Sequence, residues 1–118
     1  MKRFLAIYIG TGGARSNARW NELDEQQRKA IQERGIKEWM QWGTVNAKAI
    51  VDQGSPLGKT KRASKEGIAD FKNTMTGYVI VEAESHAAAA KLFENHPHFS
   101  VFPGDSVEIM ECLPLPGQ

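Results

Sequence analysis

The chain has a single cysteine, Cys112, so no disulfide can form within it, and no Cys/His spacing resembles a zinc site. It has no strong charge of either sign: 15 Lys and Arg stand against 14 Asp and Glu, a net charge of +1. That balance gives no general pull toward nucleic acid or an anionic membrane, and neither is expected as a partner. No apolar run approaches the roughly 20 residues of a membrane span. Lys2 and Arg3 precede apolar residues, but the run Phe4–Ile9 is shorter than the roughly 7–15 residues of a signal-peptide core and has no clear cleavage site after it. It reads as a first strand. With the lone cysteine, this fits a reducing cytoplasm, and no cofactor or metal is expected.

What remains is the composition of an ordinary globular protein. The 118 residues are 41% hydrophobic and 25% charged, enough for one domain over 1–118 with a core that needs no covalent staple.

Phe4-Leu5-Ala6-Ile7-Tyr8-Ile9 is apolar at successive positions and ends at Gly10, the pattern of a buried strand. A polar, glycine-rich loop is expected from Gly10 to Arg19, without a dinucleotide fingerprint because the G-x-G-x-x-G spacing fails here. Asn21 is the expected cap of a helix from Asp24 to about Gly43, with Asp24 and Glu25 at the positive end of its dipole. Ile31, Gly35, Trp39 and Trp42 recur at spacings of three and four and share one face, flanked by Ile36 and Met40. Glycine inside a helix costs roughly 1 kcal/mol relative to alanine, so Gly35 marks a close contact, expected to be with another backbone.

Thr44–Val51 reads as a second, shorter helical piece ended by Asp52-Gln53-Gly54, and Gly54–Gly58 as a turn. Lys59–Ser64 is a polar strand whose lysines suit a sheet edge, with a loop or loose hairpin from Lys65 to Asn73. Gly77–Ala83 is a strand, Ser85 caps a helix through Leu92 and Phe93 that stops before Pro97, and Ser106–Cys112 alternates as a last strand. The order β-α-β-β-α-β is the split pattern of an α+β, ferredoxin-like fold. Two helices cover one face of such a sheet. Phe4–Ile9 and Tyr78–Val81 are apolar on both faces, so a second copy of the chain is the expected cover of the other, giving a homodimer.

Five segments in this order carry a resemblance: Gly54-Ser55-Pro56-Leu57-Gly58, Gly77–Ala83, His96-Pro97-His98, Val107-Glu108-Ile109 and Pro114-Leu115-Pro116-Gly117. Together they resemble the YCII-related (DGPF-type) domain family along nearly the whole chain. The resemblance implies a ferredoxin-like fold paired into a dimeric α/β barrel, in a family mostly without assigned function. Some relatives look like small-molecule lyases or dehalogenating enzymes that use a histidine late in the first helix. Here that region reads Arg34-Gly35-Ile36-Lys37-Glu38-Trp39, and the helix has no histidine. Other relatives resemble sigma-factor partners, which implies a regulatory role without catalysis.

The candidate chemistry is sparse. His96 and His98 can end a helix and pack a turn; alternatively they can serve as general acid or base, orient a ligand carboxylate, or hold a metal. Trp39, Trp42 and Tyr78 can line an aromatic pocket or simply fill the core. Glu82 and Glu108 lie in strands where one face could turn toward a barrel interior, making a buried carboxylate a base; solvent exposure is the plainer state. Asp105 can orient a histidine or make a turn. The basic run Lys59–Lys65 lacks interleaved aromatics and reads first as a solvated edge strand, otherwise as a site for an anionic partner. Cys112 reads as a small core residue, and Ser55 has no nucleophile motif around it.

These readings converge on a pocket between sheet and helices for a small, partly apolar molecule. Trp39, Tyr78 and Glu82 are the expected ligand contacts. His96 and His98 are the expected proton carriers of any cofactor-independent lyase, isomerase or oxygenase-like reaction. A non-catalytic protein-interaction module is the alternative.

Overall fold

The computed structural model describes residues 1–11 and 20–117, so the expected glycine-rich loop lies largely outside the described residues. The elements run β1 (Lys2–Ile9), α1 (Glu25–Val45), β2 (Ile50–Pro56), β3 (Thr60–Ser64), β4 (Gly67–Phe71), β5 (Met75–Ala83), α2 (His86–Lys91), α3 (Pro97–Ser100) and β6 (Ser106–Glu111). Four strands form one antiparallel sheet in the order β2-β5-β1-β6. Among the described strands, β3 and β4 pair only with each other. The sheet-forming order β1-α1-β2-β5-α2-β6 is therefore ferredoxin-like, as the sequence pattern indicates, with a hairpin inserted between its second and third strands.

Local chemistry accounts for the element ends. Asp24, not Asn21, caps α1: its carboxylate accepts from the Gln27 amide at 2.7 Å while the Gln27 side chain accepts from the Asp24 amide at 2.9 Å. This reciprocal box satisfies two orphan donors at once, which a cap at Asn21 would not do for this helix. Ser85 caps α2 as expected, its hydroxyl accepting from the Ala88 amide.

The segment after α1 departs from its local pattern. Thr44–Val51 is not a second helical piece: α1 ends at Val45, Asn46 caps it, and Ile50 begins β2. The open edge of β5 decides this, because its amides and carbonyls need partners; Ile50 pairs with Val81 and Pro56 with Gly77. Pro56 lies within a strand rather than a turn, which an edge strand tolerates. The register shifts between Asp52 and Ser55. There Gly54 takes φ +64°, and a Cβ would meet the Tyr78 carbonyl oxygen at 1.9 Å, so only glycine fits. Lys59–Ser64 forms a strand, but in the separate hairpin rather than at the edge of the main sheet.

Strand alternation divides the apolar residues between two faces. Phe4, Ala6 and Tyr8 of β1 join Val79, Val81 and Ala83 of β5 in one core cluster, with Ala89 and Phe93 packed on them. Ala89 is fully buried; its small side chain lets α2 lie close to the sheet. Leu5, Ile7 and Ile9, with Tyr78, Ile80 and Met110, alternate onto the opposite face by the cross-strand register. Gly35 is the buried residue of α1, and it contacts a ring rather than a backbone: a Cβ there would meet the Phe102 ring at 2.3 Å.

Candidate functional site

Tyr8 stands at the end of β1 on the face that meets α1. Its ring lies 4.8 Å from Trp39 and 5.1 Å from His96, centroid to centroid. His96 is fully buried and boxed by rings: Trp39 at 4.5 Å and perpendicular, Trp42 at 4.7 Å and Phe93 at 5.8 Å. The helical spacing of three between Trp39 and Trp42 puts both indoles on this one imidazole. Trp42 is fixed by its indole N–H, which donates to the Leu92 carbonyl at 2.7 Å and ties α1 to the end of α2.

The polar atoms of the histidine pair are engaged within the turn. His96 Nδ1 accepts from the His98 amide at 3.0 Å, capping α3, whose first residue is Pro97. His98 Nε2 stands 2.8 Å from the Ile9 carbonyl and, as the donor, joins α3 to the end of β1. The Asp105 amide donates to the same carbonyl at 3.0 Å, and its carboxylate accepts from the amide and hydroxyl of Thr11. With Nδ1 committed as an acceptor, neutral His96 carries its proton on Nε2, 3.5 Å from the Tyr8 hydroxyl oxygen. That is a long contact, at the limit of a hydrogen bond.

Burial lowers the His96 pKa to about 4, and the neighbouring His98 charge pushes the same way. Burial raises that of Tyr8. At neutral pH both groups are therefore uncharged, and the Tyr8 hydroxyl keeps its proton. Because His96 Nε2–H faces the phenol oxygen, the Tyr8 proton is not used in this contact.

Beside this cluster, between the second half of α1 and strands β2, β5 and β1, lies a cavity of about 720 Å³. Tyr8, Trp39, Trp42, Ile50 and Val79 form apolar walls, and Gln53, Ser55 and Thr76 contribute polar groups. None of its described lining residues is charged. Gly43 lines it too, where a Cβ would meet nothing within 4 Å.

The residues singled out in the sequence meet only in part. Trp39 and Tyr78 line the cavity. Tyr78 does so from a strand position whose neighbours in the register, Ile7 and Ser55, lie on the second sheet face. His96 is behind Tyr8, and His98 is one step farther, against the end of β1. Glu82 stands opposite Arg3 in the strand register near the other end of β5, away from the cavity lining. Cys112 is exposed, not a core residue, because it follows the last residue of β6. Tyr8 was hidden in the sequence as one more apolar strand residue. Its signal was the alternation Phe4-Ala6-Tyr8, since a tyrosine on a buried face needs somewhere to place its hydroxyl.

Among the described residues, no group of three or more His, Cys, Asp or Glu is placed to hold a metal ion. No described helix is long and apolar enough to cross a membrane.

Fold and sheet order place the chain among α+β proteins with a ferredoxin-like core. It superposes on a 5-chloro-2-hydroxyhydroquinone dehydrochlorinase, TftG, from Burkholderia phenoliruptrix AC1100, solved with 2,5-dihydroxybenzoquinone. The match covers 92% of this chain and 90% of that one, at 16% identity and a TM-score of 0.51, and it establishes a shared fold. No family model matches the sequence, and no curated protein matches it.

Proposed function

We propose that this chain binds a small, partly apolar ring compound in the cavity between α1 and the β2–β5–β1 part of the sheet. The observation that carries the reading is the cavity itself: about 720 Å³, walled by Tyr8, Trp39 and Trp42, with no charged described lining residue. Ligand pockets commonly measure roughly 300–1,000 Å³ and combine apolar walls with a few polar groups. The fold shared with a protein solved around 2,5-dihydroxybenzoquinone supports it. On this reading the chain is of the YCII-related type and works as a homodimer closed over Leu5, Ile7 and Ile80.

His96 and His98 belong to the same proposal as the source of any lyase, isomerase or oxygenase-like chemistry. His96 contacts Tyr8, and Tyr8 borders the cavity, so His96 acts through the phenol. Calorimetric titration with indole tests the pocket, using Gly43→Leu to fill it from a position with open space. Binding that disappears in the variant supports the reading. Absence of binding to the unmodified chain, or binding unchanged by the variant, defeats it.

A second reading, a regulatory protein-interaction module, is favoured by the β3–β4 hairpin. All ten of its strand residues but Thr60 are exposed, including Ile68 at 77% and Phe71 at 41%. The Arg62 guanidinium lies 4.6 Å over the Phe71 ring, and Lys61 pairs with Asp70. Reversing the charges at Lys59, Lys61 and Arg62 should weaken such a complex; affinity indifferent to the reversal removes the hairpin from the contact.

A further inference from the structure

We infer that the cavity selects an uncharged ring bearing a carbonyl oxygen, and that the Tyr8 hydroxyl is the donor which receives that oxygen. The inference rests on the pocket reading above and adds a substrate class to it.

Three observations carry it. First, the described lining offers no cation to balance a ligand carboxylate or phosphate and no anion to balance an amine. A charged group entering such walls loses its hydration without replacement, whereas a neutral ring gains apolar contact. Second, the hydrogen-bond polarity is set by a chain of donors running one way. The His98 amide donates to His96 Nδ1, which leaves the His96 proton on Nε2, directed at the Tyr8 oxygen. The Tyr8 proton therefore has no partner in that chain. Third, Tyr8 is both a cavity wall and 95% shielded from solvent, since only 5% of its surface is exposed. A hydrogen bond made there is not diluted by water.

A carbonyl group meets these conditions best: it is neutral and accepts without donating. The indoles of Trp39 and Trp42 flank the site with the flat apolar surface that a ring requires. The burial that keeps both Tyr8 and His96 neutral supports the same polarity. Aryl ketones and quinones fall in this class.

The test uses three probes of nearly one shape: acetophenone with a neutral carbonyl, ethylbenzene with no polar atom, and benzoate with a charge. Affinities are measured by calorimetry for the unmodified chain and for Tyr8→Phe. Acetophenone should bind the unmodified chain roughly three- to tenfold tighter than ethylbenzene, the range of one neutral hydrogen bond. Benzoate should bind more weakly than either. In Tyr8→Phe the acetophenone advantage should vanish while ethylbenzene affinity holds. If ethylbenzene binds and acetophenone is no better, the carbonyl inference is overturned and the pocket reading stands. If benzoate binds best, the charge argument is overturned. If no probe binds, the pocket reading itself falls and this inference with it. The comparison among probes on the unmodified chain decides the matter even where Tyr8→Phe folds poorly.

Discussion

The backbone amide of His98 donates to Nδ1 of His96 across 3.0 Å, inside a turn that is closed to solvent. Protonating His96 at Nδ1 breaks that bond and places a cation among four aromatic rings. Its folded-state pKa of about 4 lies below the ordinary value of 6.5. The unfolded chain therefore binds more protons between those values, and stability falls as pH drops from about 6.5 to about 4. At about 1.4 kcal/mol per unit, the loss is on the order of 3 kcal/mol. His96→Asn keeps a side-chain acceptor and cannot titrate, so its melting temperature should fall less over that window. Parallel melting curves against pH for the two proteins would refute the assignment.

Trp42 joins α1 to the end of α2 through one hydrogen bond to the Leu92 carbonyl. Trp42→Phe keeps an aromatic wall and leaves that carbonyl unpaired. The expected cost is about 1–2 kcal/mol, seen as a drop of several degrees in thermal unfolding. A melting temperature equal to that of the unmodified chain would show that water replaces the bond without loss.

Gly35 faces the Phe102 ring so closely that a methyl group has no room, with ring atoms at 2.3 and 2.4 Å from an added Cβ. Alanine favours the helix by about 1 kcal/mol, while overpacking costs about 1–3 kcal/mol. Gly35→Ala should therefore destabilise the chain modestly in chemical denaturation. In a Phe102→Ala background the same change should stabilise it. Equal effects in both backgrounds would dissociate the glycine from the ring.

The second sheet face carries Leu5 opposite Ile80 and Ile7 opposite Tyr78. If a second copy covers it, light scattering behind a sizing column should give twice the chain mass at micromolar concentration. Ile80→Glu should shift that species to the single-chain mass, because a carboxylate at the centre of an apolar interface loses its hydration unpaired. A monomeric unmodified chain would remove this role from the face.

What the sequence disclosed and what it concealed differ in range along the chain. β1, β5 and β6 were legible because the residues that make them strands lie within them, in runs such as Tyr78-Val79-Ile80-Val81. The Ser85 cap was legible for the same reason. β2 was not: Asp52, Gln53, Gly54 and Pro56 are poor strand formers, and only the open edge of β5 makes them extended. The site divides likewise. Trp39 reaches the cavity as helix spacing allows, and Tyr78 borders it although strand alternation sets it on the second face, whereas the meeting of Tyr8 with His96 spans 88 positions. No local pattern encodes that distance. The turn that takes up the polar atoms of both histidines is equally a product of packing, since it depends on where the end of β1 falls against α3.

The sheet closes behind the β3–β4 hairpin: Pro56 pairs with Gly77, and the Leu57 amide donates to the Thr76 carbonyl at 2.9 Å. The chain thus leaves and re-enters the fold at nearly one point, so the eighteen residues between Leu57 and Thr76 form a detour rather than a support. Such an appendage can be trimmed, extended or exchanged by insertion and deletion without moving the register of the strands at its root. Variation among descendants of this sequence is therefore free to concentrate there, beside the wall of the cavity, while the scaffold that shapes the cavity stays fixed.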